Sequence, residues 1–123
     1  MAEAMELRRK RAYDTADPSD GFRVLVDRLW PRGVSKDRAA IDLWAKDVAP
    51  SPDLRKAWHA ASDAEWETYA DRYRAELAGE TATAVSELAR EIAQHGVVTL
   101  VYAAHDERRN HAVVLEDALR ELR

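Results

Sequence analysis

The sequence predicts an α/β fold: a single compact domain over residues 1–123, with a small, mostly parallel sheet flanked by helices. Three observations point there. Residues 22–29 and 97–104 each hold an apolar or β-branched run bounded by turn residues, the pattern of buried strands. The segment between them has helical spacing and carries several helix-start signals. Strands at both ends of a helical middle pack as layers, and a parallel pair joined this way is crossed in the right-handed sense. If the two strands are parallel, their carboxyl ends open on one edge, where open α/β sheets bind ligands.

Each element has its own signal. Residues 6–13 (ELRRKRAY) mix charge with few apolar positions and suit an edge strand. Thr15 to Gly21 is dense in turn residues and forms a loop. Trp30-Pro31-Arg32-Gly33 ends the next strand, because Pro lacks the ladder N–H and Gly permits positive φ. Ser35 is placed to cap a helical turn from Lys36. Residues 41–48 are ambiguous between strand and irregular structure, with a short strand preferred. Ser51 followed by Pro52 starts a helix whose inner face holds Leu54, Ala57 and Trp58. Ser62 and Glu65 have capping-box spacing, ahead of Trp66, Tyr69, Ala70, Tyr73 and Leu77, with Gly79 as a left-handed stop. A third helix turns Val85, Leu88, Ala89 and Ile92 inward and stops at Gly96. Beyond the 97–104 strand, Asp106 is the expected cap of a last helix bearing Val114, Leu115, Ala118 and Leu122.

Composition narrows the function. The absence of cysteine excludes disulfide scaffolds, thiol redox chemistry, Cys-type zinc sites and a Cys nucleophile. No apolar run approaches the roughly 20 residues of a membrane span. The charged start lacks the apolar core of a secretory signal, so the expected location is cytoplasmic and no membrane partner is expected. A net charge of -4 makes a poor general binder of nucleic acid. Within the basic set, 15 Arg stand against 4 Lys. GC-rich coding explains an excess of Arg and Ala without any function. The alternative is that some arginines serve planar, bidentate recognition of carboxylate or phosphate.

The strand-end argument gathers two polar clusters: Asp27, Arg28, Trp30 and Arg32 from one strand, and His105, Asp106, Arg109 and Asn110 from the other. Arg28, Arg32 and Lys36 recur every four residues, and convergent guanidinium forks suit an anion; each could instead pair with Asp27, Asp37 or Asp42. Asp27, at the end of an apolar strand, needs a partner, and Arg23 or Arg28 would serve. Asp27, His105 and Asp106 are the candidate acid–base groups. Trp30 and Trp44 either wall a pocket or pack their loops onto the sheet. Tyr102 presents a hydroxyl near the sheet edge. His105 and His111 are six residues apart and do not share a helix face, so no metal site is expected. Phosphate-loop, dinucleotide and nucleophile-elbow signatures are missing, and no cofactor is implied.

The run Gly21-Phe-Arg-Val-Leu-Val-Asp-Arg-Leu-Trp-Pro-Arg-Gly33 resembles the YeaO-like family, within the group named domain of unknown function 488. So do Leu43-Trp-Ala-Lys46, Ala49-Pro-Ser51, Tyr73-Arg-Ala-Glu-Leu77, Val98-Thr-Leu-Val-Tyr-Ala-Ala104 and Asn110-His-Ala-Val-Val-Leu115. The similarity runs from about Leu7 to Leu122. It implies a cytoplasmic, mainly bacterial or archaeal α/β protein with no established reaction. Its motif selects Asp27, Arg28, Trp30, Pro31, Arg32, Gly33 and Lys36, then Tyr102, Asp106 and Asn110. In that family the position after the Ala pair is often Lys or Arg. Here it is His105, which weakens an essential-base role for it. The expected function is binding of a small phosphate- or carboxylate-bearing ligand at the carboxyl edge of the sheet. Arg28, Arg32 and Lys36 would supply charge, Trp30 or Trp44 a wall, and Asp106 and Asn110 polar contacts, with Tyr102 also among the ligand-binding residues. The alternatives are a protein-interaction module using an Arg/Trp surface patch and, more weakly, RNA binding.

Overall fold

A computed structural model describes residues 5–122. Strands β1 (Glu6–Arg11), β2 (Phe22–Leu25), β3 (Leu43–Trp44) and β4 (Val97–Tyr102) form one all-parallel sheet in the order β1-β4-β2-β3. The two strands on which the shared-edge argument rested are therefore parallel neighbours, with Val24 opposite Leu100. The helices are α1 (Lys36–Ala39), α2 (Pro52–His59), α3 (Trp66–Ala78), α4 (Ala82–Ile92) and α5 (His111–Glu121). None is long and apolar enough to cross a membrane, among the described residues.

The sheet is covered unequally. On one face, Leu7, Val24, Val26, Val98, Leu100 and Tyr102 meet the buried residues of α2–α5, among them Leu54, Tyr73, Ile92 and Leu115. On the other face, Leu25, Val101 and Ala12 are covered by Trp30, Ile41 and Trp44, which come from loops and the two-residue β3. Strand alternation explains the split, since odd and even residues turn to opposite faces. Further along the loop face lies a buried polar cluster. Arg23 pairs with Asp20 at 2.7 Å, Lys10 reaches the same carboxylate at 3.2 Å, and Thr99 Oγ1 donates to the Asp20 carbonyl.

Several boundaries differ from expectation. The 22–29 run is strand only to Leu25, and the 97–104 run only to Tyr102. Residues 6–13 are strand only over Glu6–Arg11. Of residues 41–48, two are strand and Lys46–Val48 form a 3-10 turn. Ser51 caps α2 as expected, through the Leu54 N–H. Ser62 donates to Glu65 from both its N–H and its hydroxyl, but this opens a 3-10 turn (Asp63–Glu65) that leads into α3. Gly79 ends α3 at φ -110, outside the left-handed region. Asp106 does not cap α5. Asn110 does, because the helix begins only at His111. Leu122 falls beyond α5 and is exposed.

Candidate functional site

The carboxyl edge is built from the ends of β1, β4 and β2, with the 103–110 segment crossing above them. Asp27 lies two residues past β2 and joins two strand ends: its Oδ2 accepts the Ala103 N–H at 2.9 Å. Its Oδ1 lies 3.2 Å from His111 Nε2, and neither Arg23 nor Arg28 pairs with it. Arg23 is taken by Asp20. Arg28 points to the carbonyls of Ala49 and Pro50, at 3.3 and 3.4 Å. Tyr73 donates to the Val48 carbonyl at 2.6 Å, so Val48, Ala49 and Pro50 are all held by side chains. Burial pushes the Tyr73 phenol well above its ordinary range, reinforced by the nearby Glu76 and Asp27.

The other expected residues are placed as follows. Arg32 and Lys36 are exposed. The Arg32 carbonyl accepts from the Tyr13 hydroxyl. Arg28, Arg32 and Lys36 share no partner among the described residues. Trp30 donates to the Val34 carbonyl at 2.7 Å and Trp44 to that of Asp27 at 2.8 Å. Their rings meet edge to face at 5.5 Å, so both indoles tie loops down with their N–H groups occupied. Asn110 uses its oxygen to cap α5 and its nitrogen to hold the Asp106 carbonyl. Asp106 accepts the N–H groups of Arg108 and Arg109, which hold its carboxyl below the usual range. His105 is exposed, with Nδ1 3.4 Å from Arg11. Among the described residues, no group of three His, Cys, Asp or Glu is arranged to hold a metal.

A cavity of about 490 Å³ lies along the outer side of the edge strand β1 and meets the carboxyl edge only at Arg11 and Tyr102. It runs along β1 from Leu7 to Arg11 and reaches Tyr102, Arg108 and Glu116. Of the expected residues, only Tyr102 lines it. Burial raises the Tyr102 phenol, and the nearby Arg9 opposes that rise. Five cations line the cavity against three carboxylates. Arg8 pairs with Glu6, Arg9 with Glu116 and Lys10 with Asp20. Arg11 rests instead on the neutral Ala104 carbonyl at 3.0 Å. Neither Arg11 nor Arg108 has a carboxylate within ion-pair distance among the described residues. Sequence reasoning missed these two because the charge run of residues 6–13 looked like a solvated edge. Nothing local to it shows that the 103–110 segment returns beside it.

An all-parallel sheet with its main helices on one face, long loops on the other and polar residues beyond the strand ends defines a small α/β domain. The family model described as "Inactive DUF488-N3 subclade" matches residues 6–122. The chain belongs to this YeaO-like DUF488 family. It is 46% identical to "Uncharacterized protein YeaO" of Escherichia coli (strain K12) over 118 residues, covering 96% of this chain and 100% of that protein. It is 41% identical to "Uncharacterized protein Rv3073c" of Mycobacterium tuberculosis (strain ATCC 25618 / H37Rv) over 119 residues, 97% of this chain and 98% of that one. No solved structure matches.

Proposed function

We propose that the chain binds an anionic, phosphate- or carboxylate-bearing ligand in the groove between β1 and the 103–110 segment, without turning it over. The observation that carries this reading is the pair Arg11 and Arg108. Both line the 490 Å³ cavity beside Tyr102, and neither forms an ion pair among the described residues. Guanidinium forks held without a counter-charge favour an incoming anion. The family model's description as an inactive subclade agrees with binding without catalysis.

This reading moves the site from the carboxyl edge of the sheet to the outer side of the edge strand β1, and the charge from Arg28, Arg32 and Lys36 to Arg11 and Arg108. Calorimetric titration with pyrophosphate and with a dicarboxylate tests it. Arg11→Gln and Arg108→Gln should each weaken binding about tenfold or more, the scale of one charge-assisted hydrogen bond. Arg32→Gln should leave it unchanged. Loss of binding in Arg32→Gln alone would return the site to the 28–36 loop and end the groove reading.

A further inference from the structure

The groove follows a sheet edge, and the backbone of that edge has its own chemistry. The β1–β4 ladder starts with the Glu6 N–H on the Gly96 carbonyl and closes with the Ala12 N–H on the Tyr102 carbonyl. In a parallel ladder alternate residues turn both backbone groups to the same neighbour. The even-numbered residues of β1 therefore face β4, while Leu7, Arg9 and Arg11 turn their N–H and C=O outward. Two of those three carbonyls are occupied: Leu7 accepts from Arg120 at 2.9 Å and Arg11 from the Asp14 N–H at 3.1 Å. Among the described residues, the three N–H donors and one acceptor, that of Arg9, have no partner along about 13 Å of edge, which is most exposed at Arg9 and least at Leu7.

We infer that this edge accepts an extended acidic peptide as a fifth strand, its carbonyls and carboxylates meeting the outward N–H groups of Leu7, Arg9 and Arg11. The inference rests on the anion reading of the groove and names its ligand class. Charge complementarity selects the occupant. A second copy of the chain would bring the same surplus of cations along its edge and no counter-charge for Arg11 and Arg108, and like charges opposed across strands are destabilising. An acidic strand meets the uncompensated Arg11 and Arg108 instead. The shape of the edge selects an extended ligand. The cavity lining is unbroken from Leu7 to Arg11, whereas a single phosphate fills only one end. Strand addition at an open edge takes affinity from the main chain and specificity from the flanking side chains.

Amide hydrogen exchange of the full chain, followed by NMR, tests this with three probes: hexaglutamate, hexaglutamate methylated at every amide nitrogen, and inorganic phosphate. Hexaglutamate should slow exchange at the outward amides of Leu7, Arg9 and Arg11 by about tenfold or more. The methylated peptide keeps the charge and the carbonyls, but the N-methyl groups that face the edge clash with its backbone, and it should protect none of the three. Phosphate should shift the Arg11 and Arg108 signals and leave the Leu7 exchange rate unchanged. Hexaglutamate binding without protection of these amides would overturn strand addition and leave the anion reading intact. No response of Arg11 or Arg108 to any probe would overturn both. Protection that appears with rising protein concentration alone would make a second copy the occupant and overturn the acidic-peptide assignment.

Discussion

Asp27 Oδ1 lies 3.2 Å from His111 Nε2, yet the imidazole is also 3.0 Å from the Val26 carbonyl, and that is where its hydrogen bond is aimed. The carboxylate is held instead by its other oxygen, on the Ala103 N–H. In this geometry Asp27 is first a clasp between the ends of β2 and β4. Asp27→Ala should destabilise the fold by about 1–3 kcal/mol, because the Ala103 N–H loses its acceptor. Asp27→Asn should cost less, since an amide oxygen can still accept. A double-mutant cycle with His111→Ala, read by urea unfolding, measures the coupling directly. Zero coupling would show that the proximity of Oδ1 to Nε2 carries no energy.

Arg23 and Asp20 are both nearly inaccessible, and the Arg23 Nη2 has no partner among the described residues. Replacing Asp20 by Ala strands a buried guanidinium and should cost about 3–5 kcal/mol, whereas exchanging both residues for apolar ones of similar size should recover much of that loss. If the Asp20→Ala variant keeps its denaturation midpoint, the buried pair contributes nothing to stability.

Acid should act through the same carboxylate. Burial alone would raise the Asp20 carboxyl, but hydrogen bonds from the Asp17 N–H, Lys10 and Arg23 outweigh it and hold it below the usual range. A depressed folded value means the stabilisation is complete above the unfolded value of about 3.9 and is lost as pH falls through the folded one. Thermal midpoints should therefore drop as the pH is lowered below about 4, and Asp20→Asn should flatten that limb.

On the alkaline side the sign reverses. The Tyr73 phenol is raised, so its contribution is complete below the unfolded value of about 10 and is lost as pH rises further. Tyr73→Phe should remove this alkaline loss. It should also cost about 1–3 kcal/mol at neutral pH by leaving the Val48 carbonyl without its donor. Ultraviolet titration of the native chain should show Tyr73 and Tyr102 ionising later than the other tyrosines, and Tyr73→Phe should remove the latest step.

Gly21 sits at φ 66, and a Cβ there would strike the backbone carbonyl of Val97. Gly21→Ala should therefore destabilise by several kcal/mol, or about 3 as an order of magnitude, since backbone cannot swing aside. Gly33, at φ 80, has open space around its missing side chain. Gly33→Ala should carry only the conformational cost of about 1–2 kcal/mol. Equal losses at the two sites would mean that strain, not the Val97 contact, governs both.

Local chemistry made much of the fold legible. Ser51-Pro52 and Ser35 start α2 and α1, and the apolar runs mark β2 and β4. The misread ends lie where distant groups decide. Asp27, in the middle of an apparent strand, leaves the ladder because it serves the Ala103 N–H, 76 residues away. Asp106 has the right character for a cap but spends its carboxylate on a turn four residues early, leaving Asn110 to start α5. For the candidate site, Tyr102 was in reach because it ends the best strand. Arg11 and Arg108 were not, because they are 97 residues apart in the chain and only the return of the 103–110 segment places them on one groove.

The unequal covering of the sheet divides the molecule by how freely its sequence can change. The helical face interlocks side chains from four helices, so an alteration there disturbs several neighbours at once. The opposite face is sealed chiefly by Trp30, Ile41 and Trp44 over three buried residues. Residues between those anchors, such as Arg32 and Lys36, touch little beneath them. A foreign segment spliced at the exposed Arg32–Gly33 tip, clear of the buried Val34 and Ala39, would leave the helical core untouched, which makes that turn the natural place to attach a reporter or to let related chains diverge.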